Sequence, residues 1–336
     1  MNRTTLVFLV LVGLVFSAFQ TMVRIEFPQP EGWPAPVYDF EKNPLSDDVI
    51  QLGRHLFYDP ILSKDSSIAC SSCHSQYTAF THVDHDLSHG IGDSIGTRNS
   101  PALMNLAWSQ LFMWDGAVNH LDVQALAPIS HEDEMGDDIV NVVEKLRASL
   151  KYKRMFAKAF GDSLATGEFL LKAIAQFELI LVSANSKYDQ VKRQEAIFTE
   201  QEQKGYDLFL QHCNSCHKEP LFTTNQFANN GLSVDTTLND MGRMTITQNP
   251  KDSLRFKIPT LRNVEFSYPY MHDGRFERLT DVLKHYAKGI ETQKTLSPEL
   301  KDMSLTHEER VDLVAFLLTL TDKEFLFNPA FSFPRK

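Results

Sequence analysis

The alternation of apolar and polar positions resolves the chain into helices joined by loops, and no segment reads as rich in strands. After Met1-Asn2-Arg3 an apolar run extends from about Thr5 to Phe19, too short for a comfortable membrane span. It predicts a secretory signal over residues 1–22. No clean small-x-small pair stands around Ser17 and Ala18, so an uncleaved N-terminal anchor is the alternative. Ser46 with Asp47 and Asp48 marks a helix start that leads to Gly53-Arg54-His55-Leu56-Phe57. Thr199 and Glu202 form a capping box ahead of a helix reaching Gly205-Tyr206-Asp207-Leu208-Phe209. A periodic apolar stretch covers Phe169 to Leu181, and a polar run from Lys187 to Glu195 follows it. Thr306 and Glu309 open the last helix, with Val311, Val314, Ala315 and Leu318 at helical spacing, before a Phe- and Pro-rich tail over residues 326–336.

These elements repeat. Pro101-Ala102-Leu103-Met104-Asn105 is echoed by Pro259-Thr260-Leu261-Arg262-Asn263. Eight residues beyond each Asn, Met113-Trp114-Asp115-Gly116 is answered by Met271-His272-Asp273-Gly274, and Leu121 and Leu279 follow at equal distance. Repetition of ordered signals at fixed spacing marks an internal duplication. The expected fold is mainly α: two helical domains, over residues 40–190 and 195–325, with the boundary between 185 and 200. A length of 336 residues suits two domains of ordinary size.

Composition narrows the picture only slightly. Hydrophobic residues make up 43% and charged residues 23%, which is ordinary for a globular chain. The net charge of −10 argues against nucleic acid as a partner, because phosphate binding calls for clustered Lys and Arg, and makes a cationic partner easier to accommodate.

The four cysteines change it most. All fall into Cys70-Ser71-Ser72-Cys73-His74 and Cys213-Asn214-Ser215-Cys216-His217, one in each repeat. Two thiols at this spacing add across the vinyl groups of one haem, and the adjacent imidazole reaches its iron. A four-cysteine zinc site or a pair of redox disulfides leaves the histidine after each pair unexplained. The chain therefore carries two covalently attached c-type haems, on two cytochrome c-like helical domains.

The repeat also compares the far sides of the haems. Fourteen residues on from Trp114 stands Pro128, and fourteen on from its counterpart His272 stands Tyr286. A haem that only passes electrons wants both axial positions filled, whereas one that does chemistry needs a position that opens. The two halves have divided labour.

With Leu52-Gly53-Arg54, both haem motifs, Arg98-Asn99-Ser100-Pro101, Trp114-Asp115-Gly116, Leu261-Arg262-Asn263 and Pro269-Tyr270-Met271-His272-Asp273-Gly274, the chain resembles the bacterial dihaem cytochrome c peroxidase and MauG family from about Asn43 to Asp322. The resemblance implies that the N-terminal haem reacts with hydrogen peroxide and that the C-terminal haem receives electrons from a small cytochrome c or cupredoxin. It implies a distal pocket of Gln124, Pro128 and Glu134, with Glu134 moving the peroxide proton, and Trp114 relaying electrons between the haems. On the residues alone, Glu134 reads as part of a solvated acidic loop, since Glu132, Asp133, Asp137 and Asp138 surround it, and Trp114 as core packing. Some members close the resting peroxidatic haem with a loop histidine. Here His89, in Ser88 to Gly96, is the candidate, with His82 and His85 nearby. Members also bind calcium between the domains, and Asn99, Ser267 and Pro269 stand at matching places, where amide and carbonyl oxygens suit that ion. Export to the periplasm and a homodimer are further implications.

One departure stands out. The usual peroxidase presents methionine to the C-terminal haem, and the matching residue here is Tyr286, with His285 or Met271 as alternative ligands. A phenolate stabilises ferric iron and higher oxidation levels, where a thioether favours the reduced haem. Tyrosine at this place resembles MauG and its relatives, which spend peroxide on the side chains of a protein substrate.

Overall fold

The computed structural model describes residues 24–335, so the N-terminal apolar run lies outside the described residues. Among those described, no helix is long and apolar enough to cross a membrane. The fold is mainly helical, and the one ladder pairs Phe227–Ala228 with Phe256–Lys257.

Each half is built on a pair of crossed helices, Asp47–Phe57 on Gly167–Leu179 in the first and Glu200–His212 on His307–Leu318 in the second. The crossing point is a glycine in both. A Cβ on Gly53 would lie 1.8 Å from the carbonyl oxygen of Ala173, and one on Gly205 would lie 2.0 Å from that of Asp312. Only a residue without a side chain lets the backbones approach so closely. One turn later Phe57 packs on Phe177 with ring centroids 5.2 Å apart, and Phe209 packs on Phe316 at 5.1 Å.

The duplication extends to backbone conformation. Asn105 and Asn263 both adopt the left-handed region, as do Met113 and Met271 and the glycines 116 and 274. The backbone N–H of Asn105 donates to the Leu181 carbonyl at 2.9 Å, and that of Asn263 to Leu320 at 3.0 Å. Their side chains meet at the seam between the halves. Asn105 Oδ1 accepts from Ser183 N, Asn263 Oδ1 accepts from Asp322 N, and the Ser183 hydroxyl donates to Asp322.

Three features go beyond what the sequence pattern indicates. The polar run after residue 186 is helical, Lys187–Lys192, because Ser186 and Asp189 cap it reciprocally. Asp189 also forms a fully buried bidentate pair with Arg262, drawing this segment into the second half. The last helix is where the apolar spacing puts it, yet its outward face holds Val311 and Leu318, while Leu313, Phe316 and Leu317 are buried. Helical spacing admits either face in a run apolar nearly all round, and the Gly205 crossing selects the second. Finally, the tail packs on the first half rather than the second: Arg54 donates to the carbonyls of Pro329 and Ser332, Tyr58 donates to that of Phe331, and Phe325, Leu326 and Phe331 join the first core.

Candidate functional site

The first haem motif forms a four-residue helix, Cys70–Cys73, and the second follows directly on the helix Glu200–His212. In both, the histidine N–H donates to the carbonyl of the first cysteine, at 2.9 Å for His74 and 2.8 Å for His217. Each imidazole is then fixed by a carbonyl on its Nδ1. His74 Nδ1 lies 2.8 Å from the Phe80 carbonyl, and His217 Nδ1 lies 3.3 Å from Phe222 and 3.1 Å from Pro259. Such a bond sets the tautomer with Nε2 unprotonated, the form that ligates a metal. Burial lowers both imidazole pKa values to about 4, keeping them neutral. The four thiols are free, and among the described residues no cluster of three His, Cys, Asp or Glu is arranged for a metal ion. Paired thiols beside a carbonyl-oriented imidazole fit a covalently attached haem.

A cavity runs from the second motif to the seam between the halves. Cys213, Cys216, His217, Leu313, Leu317 and Tyr286 line one end, and Asn99, Met113, Trp114 and Gln124 line the other. Tyr286 sits on the unbroken helix Leu279–Lys288. Burial pushes its phenol up to about 12, against an opposing hydrogen bond from the Asn230 side chain. Of the alternatives, His285 turns its Nε2 to the Asn230 carbonyl at 3.0 Å, and Met271 lines the cavity with its sulfur 3.4 Å from Asn230 Nδ2.

The equivalent segment of the first half is broken into Leu121–Gln124 and Leu126–Ser130. Pro128 lacks the N–H that would continue the helical ladder. Its carbonyl accepts from Met135 N, folding the following turn back on the helix. That turn holds Glu134 so that its charge bears on both Cys70 and Cys73. Burial raises the Glu134 pKa above the usual carboxylate range. Gln124 Nε2 approaches the sulfur of Met113 at 3.7 Å. The structure thus brings Glu134, on the turn bonded to the Pro128 carbonyl, near the first thiol pair, while Gln124 lines the cavity of the second motif.

Trp114 is held between the halves. Its Nε1 donates to the Asn99 carbonyl at 2.8 Å, and its own carbonyl accepts from Lys257 N at 2.7 Å. Its counterpart His272 instead stacks on Phe256 at 3.7 Å and accepts from Asn99 N through its carbonyl. The Asn99 amide donates to the Asp86 carbonyl at 3.0 Å, and Asn99, Ser267 and Pro269 all border the cavity. His89 stacks its ring on His85, 4.3 Å between centroids, while its carbonyl faces Cys73 at 3.6 Å. Its loop is pinned to the distal turn, since Ile91 N donates to the Glu134 carbonyl and a Cβ on Gly90 would meet the Asp133 oxygen at 2.1 Å.

Asn230 was not legible as a site residue, because it falls in a stretch of the second half longer than its counterpart in the first and so has no repeat partner. Lys257 is a buried cation on the cavity wall whose Nζ donates to the Leu111 carbonyl, and burial lowers its pKa to about 8.

Comparison with known proteins agrees with this geometry. The family profile described as di-haem cytochrome c peroxidase matches residues 47–196, and that of cytochrome c matches residues 202–321. Two cytochrome c-type units imply two c-type haems. The chain is 35% identical to the methylamine utilization protein MauG of Methylorubrum extorquens, over 89% of this chain and 84% of that protein. It is 33% identical to the cytochrome c551 peroxidase of Nitrosomonas europaea, over 87% and 84%. A crystal structure of a MauG-like protein associated with microbial copper homeostasis superposes with a TM-score of 0.85 at 31% identity, covering 92% of this chain and 99% of that one. Duplicated helical halves, two thiol pairs with oriented imidazoles and this breadth of similarity place the chain in the di-haem cytochrome c peroxidase and MauG family.

Proposed function

We propose that the protein reduces hydrogen peroxide to water at the first haem, with electrons entering through the second. The observation that carries this reading is the unequal distal pair: Pro128 with Glu134 folded toward Cys70 and Cys73, against Tyr286 on an intact helix. Haem c bound at the first motif would supply the iron at which the oxygen–oxygen bond breaks. Pro128 offers no ligating atom and so leaves room for peroxide. Glu134 accepts the proton of the near oxygen and returns it to the far one, which departs as water. Gln124 orients the peroxide. Trp114 relays electrons across the seam, so that one peroxide, two protons and two electrons from a small cytochrome c or cupredoxin yield two waters. His89, stacked on His85, would be the ligand that closes the resting first haem. Asn99, Ser267 and Pro269 would offer oxygens to a calcium ion at the seam, the Asn99 amide nitrogen being engaged by the Asp86 carbonyl. The protein works in the periplasm, exported or anchored by its N-terminal run.

Tyr286 favours a second reading, in which oxidising equivalents are held and spent on side chains of a partner protein. An anionic phenolate stabilises the higher iron oxidation levels that such work needs. Steady-state peroxide turnover with a reduced donor cytochrome separates the two. Turnover is the expected result, and its absence with every donor, together with a covalently altered partner, would establish the second reading.

A further inference from the structure

The helices Gly167–Leu179 and His307–Leu318 are related by a constant offset of 139 residues. Ala173 and Asp312 face the crossing glycines, Phe177 and Phe316 pack on Phe57 and Phe209, and Leu181 and Leu320 accept from Asn105 and Asn263. Glu178 therefore stands in the first half where the second has Leu317. Leu317 lines the cavity beside Cys213 and His217. A carboxyl thus replaces an aliphatic side chain at a wall of the first haem site.

Among the described residues this carboxyl has no partner. Glu178 is 3% exposed, its side chain makes no hydrogen bond, and its Oε2 is buried and unsatisfied. Its charge bears on Cys70, whose thiol is pushed up to about 12, first by burial and then by Glu178, Cys73 and Glu134. No charged group on the neighbouring helices Asp47–Phe57, Leu121–Gln124 and Ile139–Ala148 pairs with it, and burial alone raises its pKa to about 8. An unsatisfied buried polar group is costly and calls for an explanation in what it serves.

We propose that Glu178 is the proton partner of the first haem, a buried carboxyl near Cys70 that would gain a proton when the iron gains an electron and release it when the iron loses one. In the reductive step an external donor supplies one electron, ferric iron becomes ferrous, and one proton passes from water to the Glu178 carboxylate. The charge of the site is unchanged. In the reverse direction the carboxylate, once formed, stabilises the more oxidised iron. Leu317 gives the second haem no such group. The proposal rests on haem attachment at Cys70, Cys73 and His74 and is independent of what that haem does with peroxide.

Spectroelectrochemical titration of the two-haem protein over a range of pH tests it. The midpoint of the first haem is expected to fall as pH rises, approaching 59 mV for each tenfold drop in proton activity in a one-electron couple. Glu178→Gln flattens this dependence, Glu178→Asp restores it, and the second haem responds alike in all three proteins. A slope that survives in Glu178→Gln carrying both haems would overturn the proposal. Where that variant fails to load haem, redox-difference infrared spectra of the wild-type protein with ¹³C-glutamate decide. A labelled carboxylic-acid band that grows on reduction, and persists in Glu134→Gln, is expected, and its absence refutes the assignment. Loss of peroxide turnover with the slope intact would sink the peroxidase reading alone.

Discussion

The two halves share their scaffold and differ in what they aim at the haem. Positions that constrain the backbone are paired: Gly53 with Gly205, Asn105 with Asn263, Gly116 with Gly274. Positions that the proposed function sets toward the haems are not: Pro128 against Tyr286, Trp114 against His272, Glu178 against Leu317. A duplicated fold tolerates divergence where a side chain meets the cofactor, since few packing contacts depend on it, and resists change where the chain itself crosses or turns. On the proposed function this difference gives chemistry to the first half and ligation to the second, and each substitution below breaks or sharpens that division.

The largest effect is expected at Glu134. Glu134→Gln removes the group that moves the peroxide proton and slows peroxide cleavage by roughly 10² to 10⁴, followed by stopped-flow absorption in a single turnover. Burial raises the carboxyl's pKa, so the carboxylate that accepts the proton is lost at a higher pH than for an ordinary Glu as the solution is acidified. The wild-type rate falls through that pH and the variant's does not. Unchanged kinetics would remove Glu134 from the mechanism and leave the first half without its distinguishing group.

Tyr286 probes the other side. Tyr286→Phe changes the electron paramagnetic resonance and optical spectrum of one haem only, and Tyr286→Met raises that haem's midpoint potential as thioether replaces phenolate. Should Tyr286→Phe leave both haems unaltered, Met271 becomes the ligand of choice, since His285 is turned away to the Asn230 carbonyl.

The shared scaffold is tested at its crossings. Gly53→Ala and Gly205→Ala each drive a methyl group into a backbone carbonyl that no side-chain rotation can move aside. Overpacking of this kind costs about 1–3 kcal/mol, and urea midpoints of the two-haem protein are expected to drop by similar amounts for both variants. A much smaller loss for one would mean that its helix pair is free to spread.

These outcomes bear on what the sequence disclosed. Both haem motifs, the duplication and the Pro128–Tyr286 contrast were legible because they are encoded locally or by repetition at fixed spacing. Glu178 was within reach of the same method, since extending the repeat through Phe169 to Leu181 aligns it with Leu317. Other features were not legible, because they depend on long-range packing. Nothing local sends the tail back to Arg54 and Tyr58 or says which face of His307–Leu318 is buried. The stacking of His89 on His85 is a property of the folded loop.

The smallest effect separates two helix caps that look alike in sequence. Thr199 and Glu202 close a reciprocal box: the Thr199 hydroxyl accepts from Glu202 N at 3.2 Å, and Glu202 Oε2 accepts from Thr199 N at 2.7 Å. In the first half the Ser46 hydroxyl accepts from Val49 N at 3.4 Å, and its backbone N–H donates instead to Gln176 Oε1 at 3.0 Å. Gln176, itself held by Asn43 and the Pro44 carbonyl, does from the neighbouring helix what Glu202 does from its own. Replacing a capping hydroxyl with Ala costs about 0.5–2 kcal/mol. Thr199→Ala loses the 3.2 Å hydroxyl bond of a reciprocal box and is expected at about 1 kcal/mol, whereas Ser46→Ala loses only a 3.4 Å bond and falls at the lower limit. Urea denaturation of the two variants side by side measures the gap. A larger loss from Ser46→Ala would show that its hydroxyl, and not Gln176, carries the cap of the first half.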